Sequence, residues 1–237
     1  MSALPRRTLV TGGGTGIGRA IASALRDAGG QVVVCGRRAG VLQACADDLG
    51  VTCVVGDVTG DPEALLDRVG PIDGLVHNAG ALSRGAVGAW TADDWDRMWA
   101  VHVRGPALLS QAFAGRLEGP GAIVAVSSTL AARTAAGSAA YSAAKAAMSS
   151  LVRSLAVELA PRGVRANAVL PGVVPTAMTT APRGDASLDA QLDALRRLHP
   201  LGRLGEPAEV AHMVVALLSN PWVTGAEVAV DGGLLVG

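Results

Sequence analysis

Short runs of Val, Ile, Leu and Cys alternate with longer stretches whose apolar residues recur every three or four positions. Segments 8–10, 31–35, 52–55, 72–77, 122–127, 164–170 and 227–230 read as strands. Segments 16–28, 41–49, 62–69, 92–117, 139–159 and 207–218 read as helices. The strand segments are apolar at nearly every position, which suits strands covered on both faces.

Strand and helix in strict alternation imply right-handed crossovers. The expected fold is a doubly wound α/β domain of Rossmann type, with a mainly parallel seven-stranded sheet and helices on both faces. No linker divides the chain, so residues 1–237 are expected to form one domain. Segment 175–200, rich in Thr, Pro, Arg and Asp, breaks the alternation after a strand's carboxyl end. A helical lid over a site and a plain surface loop are the two readings of it. Met178, Leu188, Leu192 and Leu195 would give such a lid an apolar face.

The first strand runs into Thr11-Gly12-Gly13-Gly14-Thr15-Gly16-Ile17-Gly18, which opens a helix. Glycines there permit a sharp turn and close approach of a ligand. The helix N-terminus offers unpaired N–H groups to a pyrophosphate. No Gly-Lys-Ser/Thr ends the loop, which argues against an ATPase or GTPase. After the second strand comes Cys35-Gly36-Arg37-Arg38, where an acid would grip ribose hydroxyls. Guanidinium at that place favours the 2′-phosphate of NADP(H) and leaves NAD(H) as the second choice.

Composition narrows the classes further. Half of the 237 residues are apolar, and 20 basic residues balance 20 acidic ones. This is a core-rich chain with no charge block to attract nucleic acid or an anionic membrane. The N-terminal residues 1–7 lack the apolar core of a signal peptide, and no apolar run is long enough to span a bilayer. Cys35, Cys45 and Cys53 show no paired spacing, as expected of reduced thiols in a cytoplasmic protein. The four histidines are scattered, and no metal site is expected.

One feature of composition is chemical. The chain has 19 arginines but a single lysine, Lys145, and a single tyrosine, Tyr141. Four residues apart in a helix, the two share one face. An ammonium about 5 Å from a phenol, at an effective dielectric near 20, favours phenolate by ~3 kcal/mol, or roughly 2 pKa units. Tyr141 would then trade protons with an alkoxide near neutral pH. Ser127 and Ser128 end the fifth strand, where a hydroxyl can hold a substrate oxygen.

Taken in order, these residues resemble the short-chain dehydrogenase/reductase family from about residue 8 to 233. The motifs are TGGGTGIG at 11–18, Asp57-Val58, His77-Asn78-Ala79-Gly80, Ser128, Tyr141 to Lys145, Pro171-Gly172 through Thr176, and Asp231-Gly232-Gly233. The resemblance implies hydride transfer between nicotinamide and a carbonyl or alcohol carbon. Ser128 would polarise the carbonyl, Tyr141 would be general acid or base, and Lys145 would bind the nicotinamide ribose. Gly12, Gly14, Thr15, Gly16, Ile17 and Gly18 would cradle the pyrophosphate, and Asp57 and Val58 would meet the adenine. Asn78, Ala79 and Gly80 would support the cofactor, while Pro171, Gly172, Val174 and Thr176 would lie on its nicotinamide side.

Two positions depart from the family pattern. His102 stands where the family usually has an asparagine associated with a helix kink and a proton relay. It is expected either to substitute passively or to join the relay as an imidazole titrating near neutrality. His77, also in place of an asparagine, is expected to be structural. The leading reading is an NADP(H)-dependent reductase of ketones or 3-oxoacyl groups. The alternatives are an NAD-dependent alcohol, sugar or steroid dehydrogenase, and a non-catalytic cofactor sensor. Relatives commonly form homodimers or homotetramers, and the small residues of 139–159 would serve such packing.

Overall fold

The computed structural model describes residues 4–180 and 187–237. Residues 1–3 of the N-terminal stretch and 181–186 of the expected lid lie outside the described residues. Seven strands form one sheet: β1 (Arg7–Thr11), β2 (Gln31–Gly36), β3 (Thr52–Val55), β4 (Gly74–His77), β5 (Gly121–Val126), β6 (Val164–Pro171) and β7 (Glu227–Val230). Their order is β3-β2-β1-β4-β5-β6-β7, and every neighbouring pair is parallel. The expected doubly wound architecture is therefore present. Strand order reverses between β1 and β4, which opens a crevice beyond their carboxyl ends.

The helices are α1 (Gly16–Asp27), α2 (Ala39–Leu49), α3 (Pro62–Val69), α4 (Ala92–Trp99), α5 (Gly105–Arg116), α6 (Ala139–Leu159), α7 (Leu188–Arg196) and α8 (Pro207–Ser219). Strand residues alternate between two cores, as the two-residue period of a strand requires. Val10, Val34, Val76 and Val124 pack under α1, α2 and α8. Leu9, Val33, Leu75 and Ile123 pack under α3, α5 and α6, around Phe113 and Met148.

The single helix expected over 92–117 is interrupted. A π-helical turn at Ala100–Arg104 joins α4 to α5, and the Gly105 N–H reaches back to Ala100 O. Pro106 is the cause in the sequence. It has no N–H for the carbonyl of residue 102, and its ring crowds that carbonyl. The widened turn buries His102 completely.

β1 and β4 are laced at the crevice by Thr11, which is 1% exposed. Its hydroxyl donates to Val76 O (3.1 Å) and accepts from the N–H groups of Asn78 (3.0 Å) and Ala79 (3.1 Å). Asn78 Nδ2 in turn donates to Thr11 O (3.0 Å) and Gly12 O (3.1 Å). Thr11→Val keeps the shape and removes the hydroxyl, leaving the half-buried N–H groups of Asn78 and Ala79 unpaired. It is expected to destabilise the protein by roughly 2 kcal/mol; an unchanged urea midpoint would show that the latch is not structural.

Candidate active site

The crevice is a cavity of about 650 Å³. Every residue singled out above for cofactor or catalysis lines it, from Gly12, Gly14 and Thr15–Gly18 through Arg37, Arg38, Asp57, Val58 and Asn78–Gly80 to Pro171, Gly172, Val174 and Thr176. Sequence segments far apart are thus brought to one place.

Its glycine wall suits a nucleotide. Gly12 turns the chain with φ +64°, a left-handed conformation. A Cβ on Gly18 would stand 2.2 Å from Gly12 O and 2.4 Å from Asn78 Nδ2, so α1 packs against the loop only as glycine. The N-cap of α1, Thr15, makes no side-chain cap bond, and no acid stands in the first turn. The first N–H groups therefore remain for an anion from outside. At the far end of this wall, Arg37 lies 4.0 Å from Asp57. Desolvation opposes ionisation of Asp57, but bonds from the Thr59 N–H and hydroxyl, and the Arg37 charge, hold its carboxyl below the ordinary range. These features fit a dinucleotide.

Ser128, Tyr141 and Lys145 occupy the opposite end. Ser127 and Ser128 diverge. Ser127 is buried and bonds to Lys145 O and Ser149 Oγ (3.2 Å each), fixing α6 to β5. Ser128 lines the cavity, accepts from Leu130 N–H (3.1 Å) and interacts with the Tyr141 hydroxyl. Lys145 is 3% exposed and donates to Val126 O (2.7 Å), with Nζ 5.7 Å from the centroid of the Tyr141 ring.

The geometry of the pair is as expected, but its electrostatics is not. Desolvation pushes the Tyr141 phenol up to about 12, against the opposing pull of Ser128 and Arg84. Desolvation likewise pushes Lys145 down to about 7. The expected lowering by an adjacent ammonium treated the pair as partly solvated. Around Tyr141 lie Ala81, Trp90, Val103, Met98 and Ala144, which favour the neutral forms of both groups.

His102 is likewise neutral. Burial, and then the charge of Lys145, push its pKa down to about 3. The shift runs against titration near neutrality, one of the two expectations for this residue. Nε2–H donates to Ala81 O (2.7 Å), and the ring meets Tyr141 edge-on at 5.2 Å between centroids. Nδ1 is buried without a partner among the described residues. His77 bonds to Ser110 Oγ (2.8 Å) and is pushed down to about 3 by burial, then by Lys145.

Several residues here escaped the sequence reading. His199 is buried, bonding from Nδ1 to Leu195 O (2.8 Å) and accepting at Nε2 from Val173 N–H (3.2 Å). It pins the turn after α7 to the loop after β6. Thr179 joins the same loop, donating to Val174 O (2.6 Å) and accepting from Thr176 N–H (2.8 Å). Neither lies in a recognisable motif, since both bonds are made to backbone atoms. In the expected lid, α7 is helical, and Met178, Leu195 and Leu198 line the cavity. Leu188 and Leu192 do not line it, and Leu188 is exposed. No metal-binding cluster and no helix able to cross a membrane occur among the described residues.

A family model described as enoyl-(acyl carrier protein) reductase matches residues 12–235. The chain is 39% identical over 242 residues to 2-(S)-hydroxypropyl-CoM dehydrogenase 3 of Xanthobacter autotrophicus, covering 95% of this chain and 94% of that one. It is 38% identical over 240 residues to L-xylulose reductase of Bos taurus, covering 97% and 96%. The fold matches a crystal structure of an actinorhodin polyketide ketoreductase variant with NADPH, with TM-score 0.92, 33% identity and full coverage of both chains.

The buried lysine makes a stability prediction. Its pKa is about 7 in the folded protein against 10.5 ordinarily, so the unfolded chain binds more protons between those values. Stability therefore rises with pH across this window, by up to ~1.4 kcal/mol per pH unit. Lys145→Met is expected to abolish that rise. Urea midpoints at pH 7 and pH 9 check it; parallel changes in variant and wild type would count against it.

Proposed function

The chain belongs to the short-chain dehydrogenase/reductase family, and from that premise we propose that it works as an NADPH-dependent carbonyl reductase with Tyr141 as its proton donor. It is an NAD(P)(H)-dependent oxidoreductase acting on C=O and CH–OH groups. The observation that carries the finer reading is the convergence of Ser128, Tyr141 and Lys145 at one end of a crevice walled at the other by the glycine loop and Arg37.

When bound, the dinucleotide supplies the hydride, from nicotinamide C4 to the carbonyl carbon. Ser128 holds the substrate oxygen beside the Tyr141 hydroxyl. A phenol kept neutral is ready to donate, and the developing alkoxide takes its proton. Lys145, anchored on Val126 O, stands next to the tyrosine and would hold the nicotinamide ribose of a bound dinucleotide. His102 holds the loop after β4 at Ala81 and supports the tyrosine ring, a positioning role rather than a proton-carrying one. The end of α7, pinned through His199, carries Leu195 and Leu198 on the cavity wall and would cover the substrate there as part of a lid.

Arg37 and Arg38 support NADP(H) over NAD(H), since guanidinium at this place matches a 2′-phosphate. The unpaired cysteines accord with a cytoplasmic setting. The exposed face of α6, with Ala143, Ala146, Ser150 and Val157, accords with a homodimer or homotetramer.

Tyr141→Phe is expected to lower turnover by about 10³-fold while cofactor binding persists. Loss of the reduced-nicotinamide absorbance with a ketone panel measures it; tight cofactor binding without wild-type turnover would favour a sensor. Arg37→Ser is expected to raise KM for NADPH about tenfold and leave NADH little changed. A lower wild-type KM for NADH than for NADPH would overturn the coenzyme assignment.

A further inference from the structure

The segment that follows β7 carries a motif, Asp231-Gly232-Gly233, with no part in the site as described so far. Leu234, directly after it, is 7% exposed. Among the described residues it packs neither in the two cores of the sheet nor in the cluster around Tyr141. Its neighbour Leu235 does pack against the core under α3, α5 and α6. Leu234 instead lines the cavity. A leucine that is shielded from solvent by a cavity wall offers apolar surface to whatever fills that cavity.

The motif explains how this side chain is aimed. Gly233 turns the chain with φ +89°, and a Cβ there would stand 2.9 Å from Pro200 Cγ, so only glycine fits. The Asp231 carboxylate accepts from the N–H groups of Gly233 (3.0 Å) and Leu235 (2.9 Å), and its backbone carbonyl accepts from Leu234 N–H (3.1 Å). Two further bonds tie this turn to other cavity walls. Gly232 O accepts from Leu201 N–H (3.1 Å), just beyond the end of α7 that places Leu195 and Leu198 on the wall. Leu234 O accepts from Arg133 Nη1 (2.7 Å). Arg133 ends the turn that begins at Ser128 and carries Leu130, with its own N–H on Thr129 O (2.8 Å). Leu234 is thereby held at a fixed place relative to Ser128.

We propose that Leu234 limits the size of the apolar group a substrate can carry beside its carbonyl, and that Arg133 is the positioning residue that fixes this limit relative to Ser128. This rests on the carbonyl reductase reading above and names a specificity-determining residue of the same site. An apolar wall discriminates by methylenes: a short group leaves part of the wall uncovered, and one that is too long does not enter. The Arg133 bond requires no charge on the substrate. It keeps one backbone carbonyl, and with it one side chain, in place.

The test is a series of linear methyl ketones of four to ten carbons, turned over with NADPH. Calorimetric binding of each ketone to the NADP+ complex is measured alongside, and NADPH affinity reports that each variant is folded. Leu234→Ala is expected to move the kcat/KM optimum to longer ketones, changing the long-to-short ratio about tenfold, mainly through KM. Leu234→Phe is expected to move it to shorter ones. Leu234→Val gives the first shift in smaller measure where the alanine variant does not fold. Arg133→Met is expected to flatten the length dependence, and Arg133→Lys, which keeps a donor for Leu234 O, to restore it in part. A length dependence that no Leu234 substitution moves overturns the proposal; one that survives Arg133→Met overturns the role of Arg133. Ketone binding that shifts with Leu234 but leads to no turnover upholds the wall and overturns the catalytic reading instead. Binding that is absent, or indifferent to length, overturns the wall.

Discussion

Desolvation governs this crevice. The sheet edge and the helices around it strip solvent from Tyr141, Lys145, His102 and His77, and each is driven toward its neutral form. Cys35, behind the nucleotide end, is pushed up to about 11 for the same reason, ahead of the opposing charge of Arg68. Among the described residues, what remains charged near the reacting groups is guanidinium, which resists deprotonation wherever it sits. A chain with 19 arginines and one lysine therefore divides its labour sharply. Arginine supplies fixed charge at both ends of the cavity, and lysine supplies an amine whose charge state responds to its surroundings.

That environment exists because the fold joins two otherwise independent layers. α1 and the glycine loop belong to one core, while α6 with Tyr141 and Lys145 belongs to the other face of the sheet. They meet only where strand order reverses, at the carboxyl ends of β1, β4 and β5. Thr11 and Asn78 lace the first two ends, Ser127 ties the third to α6, and Lys145 reaches back to Val126 O. These bonds are buried or half-buried, and each acts as a constraint on position more than as a large source of stability. The π-helical turn adds one more constraint, placing an imidazole against the tyrosine ring where a regular helix would carry it elsewhere.

Much of this was legible in the sequence. Apolar strand runs, helical periodicity and the strand–glycine–helix order determined the seven-stranded parallel fold, because a strand buried on both faces has little choice of residue. Motif residues separated by up to 164 positions, from Gly12 to Thr176, were assigned to one site and line one cavity. The four-residue spacing of Tyr141 and Lys145 determined that they share a helix face, since helix geometry is local.

Tertiary structure alone decided the rest. The sign of the Tyr141 shift depends on how many apolar atoms surround the phenol, and those come from Ala81, Trp90, Met98 and Val103, far from it in sequence. The state of His102 depends on burial in the same way, and the split at 100–104 depends on Pro106 meeting a packed carbonyl. The pin at His199 uses backbone partners that no side-chain motif records. Spacing is a property of the chain, whereas solvation and charge balance are properties of everything folded around a group, and only coordinates contain them.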